Sequence, residues 1–130
     1  GNRMKAWGRT LLAVAGMLIM DVTWGGGVSE ARKVAAMAEA WHVPVAFHDC
    51  TGPVALAVST HLALHARNCW VQEMVRAFYY GWYHRFVTVL PPVAKGRITV
   101  PAGPGLGLAL QPGIERRPDA AVRRTTSSDL

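Results

Sequence analysis

Three short apolar runs in this chain each end in a polar residue. Met17-Leu18-Ile19-Met20 leads into Asp21, Val43-Pro44-Val45-Ala46-Phe47 into His48, and Cys69-Trp70-Val71-Gln72 into Glu73. The first of them, continuous over 17–20, has the pattern of a strand covered on both faces, as in parallel sheets. Strands are therefore expected at 17–21, 43–48 and 69–74. Between the first two, Ala31, Val34, Ala35, Ala38 and Trp41 recur at helical spacing, with Arg32, Lys33 and Glu39 toward the other face. That predicts an amphipathic helix, with Ser29 as N-cap and Glu30 in its first turn. Residues 53–66 predict a second, mostly apolar helix, opened by Pro53 where a missing N–H costs nothing. The polar residues are 27 and 25 positions apart. Each interval holds one strand–helix–strand repeat, so all three can stand on one edge of a parallel sheet.

The remaining segments are less regular. Residues 3–14 are weakly helical and end near Gly16. Thr23-Trp24-Gly25-Gly26-Gly27 predicts a loop in which glycine permits close backbone approach. It lacks the GxGxxG and GxxxxGK spacings of a phosphate cradle. Phe78-Tyr79-Tyr80-Gly81-Trp82-Tyr83 is an aromatic stretch, suited to packing or a pocket wall, with a base-stacking platform as the alternative. Pro91-Pro92 breaks regular structure. Lys95-Gly96-Arg97 predicts a turn into a short strand at 98–100, residues 101–107 a Pro/Gly-rich connector, and residues after 113 a loose tail.

Composition narrows the class. With 51% hydrophobic and 17% charged residues the chain forms a core rather than remaining disordered. Its net charge of +6 comes largely from the ends: Arg3, Lys5 and Arg9, then Arg116, Arg117, Arg123 and Arg124. Basic ends without a nucleic-acid motif read as solvated surface, and no nucleic-acid partner is expected. Cys50 and Cys69 form neither a CxxC pair nor a disulfide framework, which points to reduced thiols in the cytoplasm. The basic start followed by Leu11 to Met20 imitates a secretory signal. No small-x-small cleavage site follows, and the run is too short to span a bilayer, so no membrane role is expected.

An acid, a histidine and a second acid at strand carboxyl ends have the make-up of proton-transfer machinery. A plainer reading is that Asp21 and His48 satisfy each other while Glu73 pairs with Arg76. Cys50, two residues after His48, raises a nucleophilic alternative, although such cysteines more often pack. His61 and His65, four apart on a helix, could share a face as metal ligands do, but Leu62 stands where the zincin pattern needs glutamate. Surface or capping roles suit them better, and His42 reads as structural or solvated.

Three segments carry a family likeness: Asp21-Val22-Thr23-Trp24-Gly25-Gly26-Gly27-Val28-Ser29-Glu30-Ala31, His48-Asp49-Cys50-Thr51-Gly52-Pro53 and Val71-Gln72-Glu73. Leu90-Pro91-Pro92 and Pro104-Gly105-Leu106-Gly107 also fit. Over about residues 17–112 the chain resembles the mandelate racemase/muconate lactonizing enzyme group of the enolase superfamily, especially its acid-sugar (galactonate-type) dehydratases.

The resemblance implies an α/β fold comprising the last three strand–helix units of a modified TIM barrel. Residues 1–90 would belong to the barrel, 91–112 would return toward a capping domain, and 113–130 would trail. His48 would be general base or acid, Asp21 its hydrogen-bonding partner, and Glu73 an electrophile toward the substrate carboxylate. The implied reaction is Mg2+-dependent removal of the proton α to a carboxylate, followed by loss of water. The metal ligands would lie upstream, none of them in this chain, so that it is expected to be an inactive C-terminal fragment when isolated. A sugar acid would be the partner, and the full-length parent would be a homo-oligomer. A racemase or cycloisomerase of the same superfamily, or a non-catalytic remnant, are the alternatives.

Overall fold

The computed structural model describes residues 16–129. The helix expected over 3–14, and the basic residues Arg3, Lys5 and Arg9, lie outside them. Strands β1 (Leu18–Met20), β2 (Val45–Phe47) and β3 (Cys69–Gln72) form a parallel sheet in the order β1-β2-β3. Leu18 pairs with Val45 and Met20 with Phe47, while Val45 pairs with Cys69 and Phe47 with Gln72 across one register shift. All of β2 is buried. The flanking strands leave large apolar side chains open, with Ile19 61% and Trp70 71% exposed.

Helix α1 (Val28–Ala40) joins β1 to β2, and α2 (Pro53–His65) joins β2 to β3. The apolar stripe of α1 is narrower than its spacing predicts: Ala31, Ala35 and Ala38 are buried, but Val34 and Trp41 are exposed. Small side chains let the backbone lie close to the core, leaving bulkier neighbours at the margin. Ser29 is not the N-cap. The helix is entered from Gly27 at φ 87°, without a side-chain cap, which places Ser29 inside the first turn. That positive φ favours glycine. Helix α2 does open at Pro53 and buries seven residues, Leu56 and Leu62 among them. Asn68 links the layers, its amide donating to the Ala35 and Val43 carbonyls at 3.1 and 2.9 Å.

Beyond β3 come α3 (Arg76–Gly81) and a 3-10 turn at Tyr83–Arg85. The aromatic stretch packs on itself: Trp82 lies 4.7 Å from Tyr83 and 5.4 Å from Phe86, ring centre to ring centre. Tyr83 is fully buried. Strands β4 (Val93–Ala94) and β5 (Arg97–Ile98) form a hairpin, shorter than the strand expected at 98–100. Residues 109–111 then return to 86–88 through Thr88 N–H to the Ala109 carbonyl and Gln111 N–H to the Phe86 carbonyl. Gly107 allows the return, since a Cβ there would collide with the Pro101 carbonyl oxygen. A 3-10 turn at Ile114–Arg116 precedes an exposed stretch.

Candidate active site

The three strands deliver their terminal polar residues side by side, and backbone hydrogen bonds carry the alignment past the strand ends. His48 N–H donates to the Met20 carbonyl at 2.9 Å, and Glu73 N–H donates to the Phe47 carbonyl at 3.1 Å. Each polar residue thus stands beside its neighbour's last strand position. His48 Nδ1 lies 3.0 Å from Asp21 Oδ2, and Nε2 lies 3.8 Å from Glu73 Oε2. The spacing expectation holds for all three positions, with histidine between the acids.

Asp21 is gripped at both oxygens. Thr51 Oγ1 donates to Oδ2 at 2.6 Å. Oδ1 accepts the Thr23 N–H at 2.8 Å, the Thr23 hydroxyl, and the Trp24 N–H at 3.3 Å. Burial alone would raise the carboxyl pKa, but bonds from His48, Thr23 and Thr51 outweigh it and hold the group well below the usual carboxylate range. A fixed negative charge at Nδ1 favours imidazolium. The His48 pKa is accordingly raised, chiefly by the bond to Asp21, against partial burial, with support from the charges of Glu73 and Asp49. The Asp21 side chain is 11% exposed, whereas His48 is 34% and Glu73 45% exposed. The carboxylate beside Nε2 is thus more exposed than the one bonded to Nδ1.

Several contributors escaped the sequence reading. Asp49 is fully buried and accepts the Tyr83 hydroxyl at 2.7 Å and the Val75 N–H at 2.9 Å. Its own N–H donates to Glu73 Oε2 at 3.3 Å. Burial raises the Asp49 pKa, opposed by the Val75 and Tyr83 bonds. The Tyr83 pKa is raised by burial and by its bond to Asp49. Asp49 thus ties the exit of β2 to the β3–α3 loop and to the aromatic turn. Its place directly after His48 was a visible signal; Tyr83, Thr23 and Thr51 gave none.

The competing assignments separate clearly. Arg76 lies over the Tyr80 ring at 5.6 Å and forms no ion pair with Glu73 among the described residues. His61 Nε2 lies 3.4 Å from the Leu106 carbonyl oxygen. Cys50 is exposed and free, its Sγ 3.6 Å from the same Nδ1 that Asp21 engages, so the nitrogen a thiol nucleophile would use is already held by a carboxylate. An apolar cleft of about 580 Å³ opens beside Asp21, lined by Thr23, Thr51, Trp82 and Phe86 among others, but none of the trio lines it.

A parallel α/β sheet with polar residues along its carboxyl edge places the chain in the α/β class whose binding sites lie at that edge. Within that class the chain belongs to the enolase C-terminal domain-like family, which matches residues 10–114. It is 32% identical over 104 residues to D-xylonate dehydratase of Haloferax volcanii, covering 78% of this chain and 25% of that protein. It is 32% identical over 121 residues to D-galactonate dehydratase of Ralstonia pickettii, covering 86% and 32%. The chain spans about a quarter to a third of the length of these curated relatives. A crystal structure of an enolase of the mandelate racemase subgroup from Agrobacterium tumefaciens matches with TM-score 0.74 at 58% identity, over 83% of this chain and 30% of that one. A Burkholderia xenovorans structure, 26% identical with TM-score 0.63 over 74% of this chain and 23% of that one, is bound to magnesium and fumarate.

Magnesium takes hard oxygen donors in near-octahedral geometry. The described residues do not fit it. The one group of three candidate ligands among them is a carboxylate, an imidazole and a thiol, Asp21, His48 and Cys50.

Proposed function

We propose that this chain supplies the proton-transfer part of a sugar-acid dehydratase, which removes the proton α to a carboxylate and then expels the β-hydroxyl as water. The observation that carries the reading is His48, fixed through Nδ1 by an ionised Asp21 and open at Nε2 toward Glu73. With Nδ1–H donated to Asp21, Nε2 presents its lone pair outward and takes the α-proton. Asp21 stabilises the imidazolium that results. Glu73, when protonated, donates a hydrogen bond to the carboxylate oxygen on which charge develops. Relatives named D-xylonate and D-galactonate dehydratase support a sugar acid as substrate.

In this reading residues 1–90 belong to a barrel, 91–112 pass toward a capping domain, and 113–130 trail. The exposed Ile19, Trp70 and Val71 on β1 and β3 support it, because further strands pairing on both sides would cover them. The magnesium implied by the family is held by carboxylates other than these, so the 130-residue chain alone is inactive. No described helix is long and apolar enough to cross a membrane. The proposed setting is a cytoplasmic homo-oligomer.

The experiment is keto-acid formation from D-galactonate and D-xylonate by the full-length protein carrying these residues. His48→Asn is expected to lower turnover by about 10²–10⁴-fold, the range of general acid–base catalysis, with an unchanged circular dichroism spectrum. Near-normal turnover in that variant rejects the assignment. Deuterium uptake at the α-carbon without keto-acid would instead indicate a racemase.

A further inference from the structure

The donor set that fails for magnesium suits a different ion. We propose that Asp21 Oδ2, His48 Nδ1 and Cys50 Sγ form a site for zinc-type divalent cations, which on binding replace the Asp21–His48 hydrogen bond. Carboxylate oxygen, imidazole nitrogen and thiolate sulfur are the donors zinc prefers, and three protein ligands with a fourth position left to water is a common arrangement. The geometry is close to ready. Donors about 2.0–2.3 Å from a tetrahedral ion stand about 3.3–3.6 Å apart. Here nitrogen and sulfur are 3.6 Å apart, nitrogen and oxygen 3.0 Å, and all three lie within 4.8 Å of one another.

The surroundings favour a rigid site. Ligating carboxylates are normally oriented by further hydrogen bonds. Asp21 already has them from the Thr51 hydroxyl on Oδ2 and from Thr23 and Trp24 on Oδ1. Cys50 is exposed and opens the way in. On binding, the Cys50 thiol proton passes to solvent and the neutral ring changes tautomer, its one proton moving from Nδ1 to Nε2 through solvent, while an imidazolium releases its Nδ1 proton and keeps the one on Nε2; thiolate and neutral imidazole are the ligands. No redox step is involved. The metal then holds the ring by Nδ1 in place of Asp21, so such an ion is an inhibitor of any proton transfer through His48. The site itself stands on the three side chains and does not depend on the dehydratase reading.

The test is titration of the chelator-treated, reduced protein with cobalt(II), followed by absorption. One equivalent is expected to give a thiolate-to-cobalt charge-transfer band and four-coordinate d–d bands, both abolished by zinc. Cys50→Ser should lose the charge-transfer band, and Cys69→Ser should keep it, because the Cys69 Sγ donates to the Val71 carbonyl at 3.4 Å and belongs to no ligand group among the described residues. Thr51→Val, which removes a bond orienting Asp21, is expected to weaken cobalt binding by about 10-fold or more. A wild-type spectrum without the thiolate band at saturating cobalt overturns the proposal, as does a band that survives Cys50→Ser. The first result needs no variant, so a folding defect cannot mask it.

Discussion

Two aspartates flank His48, and their surroundings drive them in opposite directions. Asp21, on the rim at the end of β1, collects hydrogen bonds from Thr23, Trp24, Thr51 and His48, and its pKa falls. Asp49, in the floor just beyond β2, is fully enclosed, bonds Tyr83 and Val75, and its pKa rises. Desolvation acts on both, but Asp49 is the more deeply buried and has fewer donors to oppose it. The difference separates two tasks along one sheet edge. Asp21 supplies charge to an imidazole, while Asp49 holds the loops that aim it. Such divergence between neighbouring titratable groups is a pattern of acid–base sites and supports the proposed function.

The largest effect that can break this contrast is on turnover. Under the proposed function, Asp21→Asn in a full-length protein carrying these residues is expected to reduce turnover by about 10²-fold, the lower end of what general acid–base catalysis contributes, with little change in melting temperature. The next is on stability. Asp49→Ala strands the buried Tyr83 hydroxyl and the Val75 N–H, at about 1–3 kcal/mol for each unpaired donor. Tyr83→Phe leaves Asp49 its Val75 bond and should cost less, about 1–3 kcal/mol. Urea denaturation measures both. If Asp21→Asn destabilises more than Asp49→Ala, the assignment of tasks is reversed.

The smallest effect is the pH dependence of stability, and its sign differs at each group. The contribution of Asp21, whose pKa is lowered, is present above the ordinary carboxylate value and is lost as pH falls through the lowered one. That of His48, whose pKa is raised, is full below about 6.5 and lost as pH rises through the raised value. Asp49 works against Asp21: its raised pKa costs stability at neutral pH, and acidification relieves that cost. Urea midpoints measured across pH should therefore show a relief on acidification that Asp49→Asn removes.

The legible part of this molecule is what repeats. Three short, mainly apolar runs and two helix-length intervals are enough to put Asp21, His48 and Glu73 on one edge, because parallel strands joined by helices keep a constant direction. The supporting contacts were not legible, since Thr51 reaches Asp21 across 30 positions and Tyr83 reaches Asp49 across 34. No local period encodes such pairs. Ser29 misled for a different reason: a serine ahead of a helical stripe has the chemistry of a cap, but the positive φ of Gly27 starts the helix earlier. Trp41 misled because spacing predicts a face without saying how wide a face the neighbours cover.

Asp21 is expected to control the proton affinity of His48. The direct measurement is an NMR titration of the His48 imidazole in chelator-treated protein, alongside Asp21→Asn and Asp49→Asn. His48 is expected to titrate above the ordinary value of about 6.5, to fall markedly in Asp21→Asn, and to change little in Asp49→Asn. A His48 that titrates at or below the ordinary value, or that does not respond to Asp21→Asn, contradicts it.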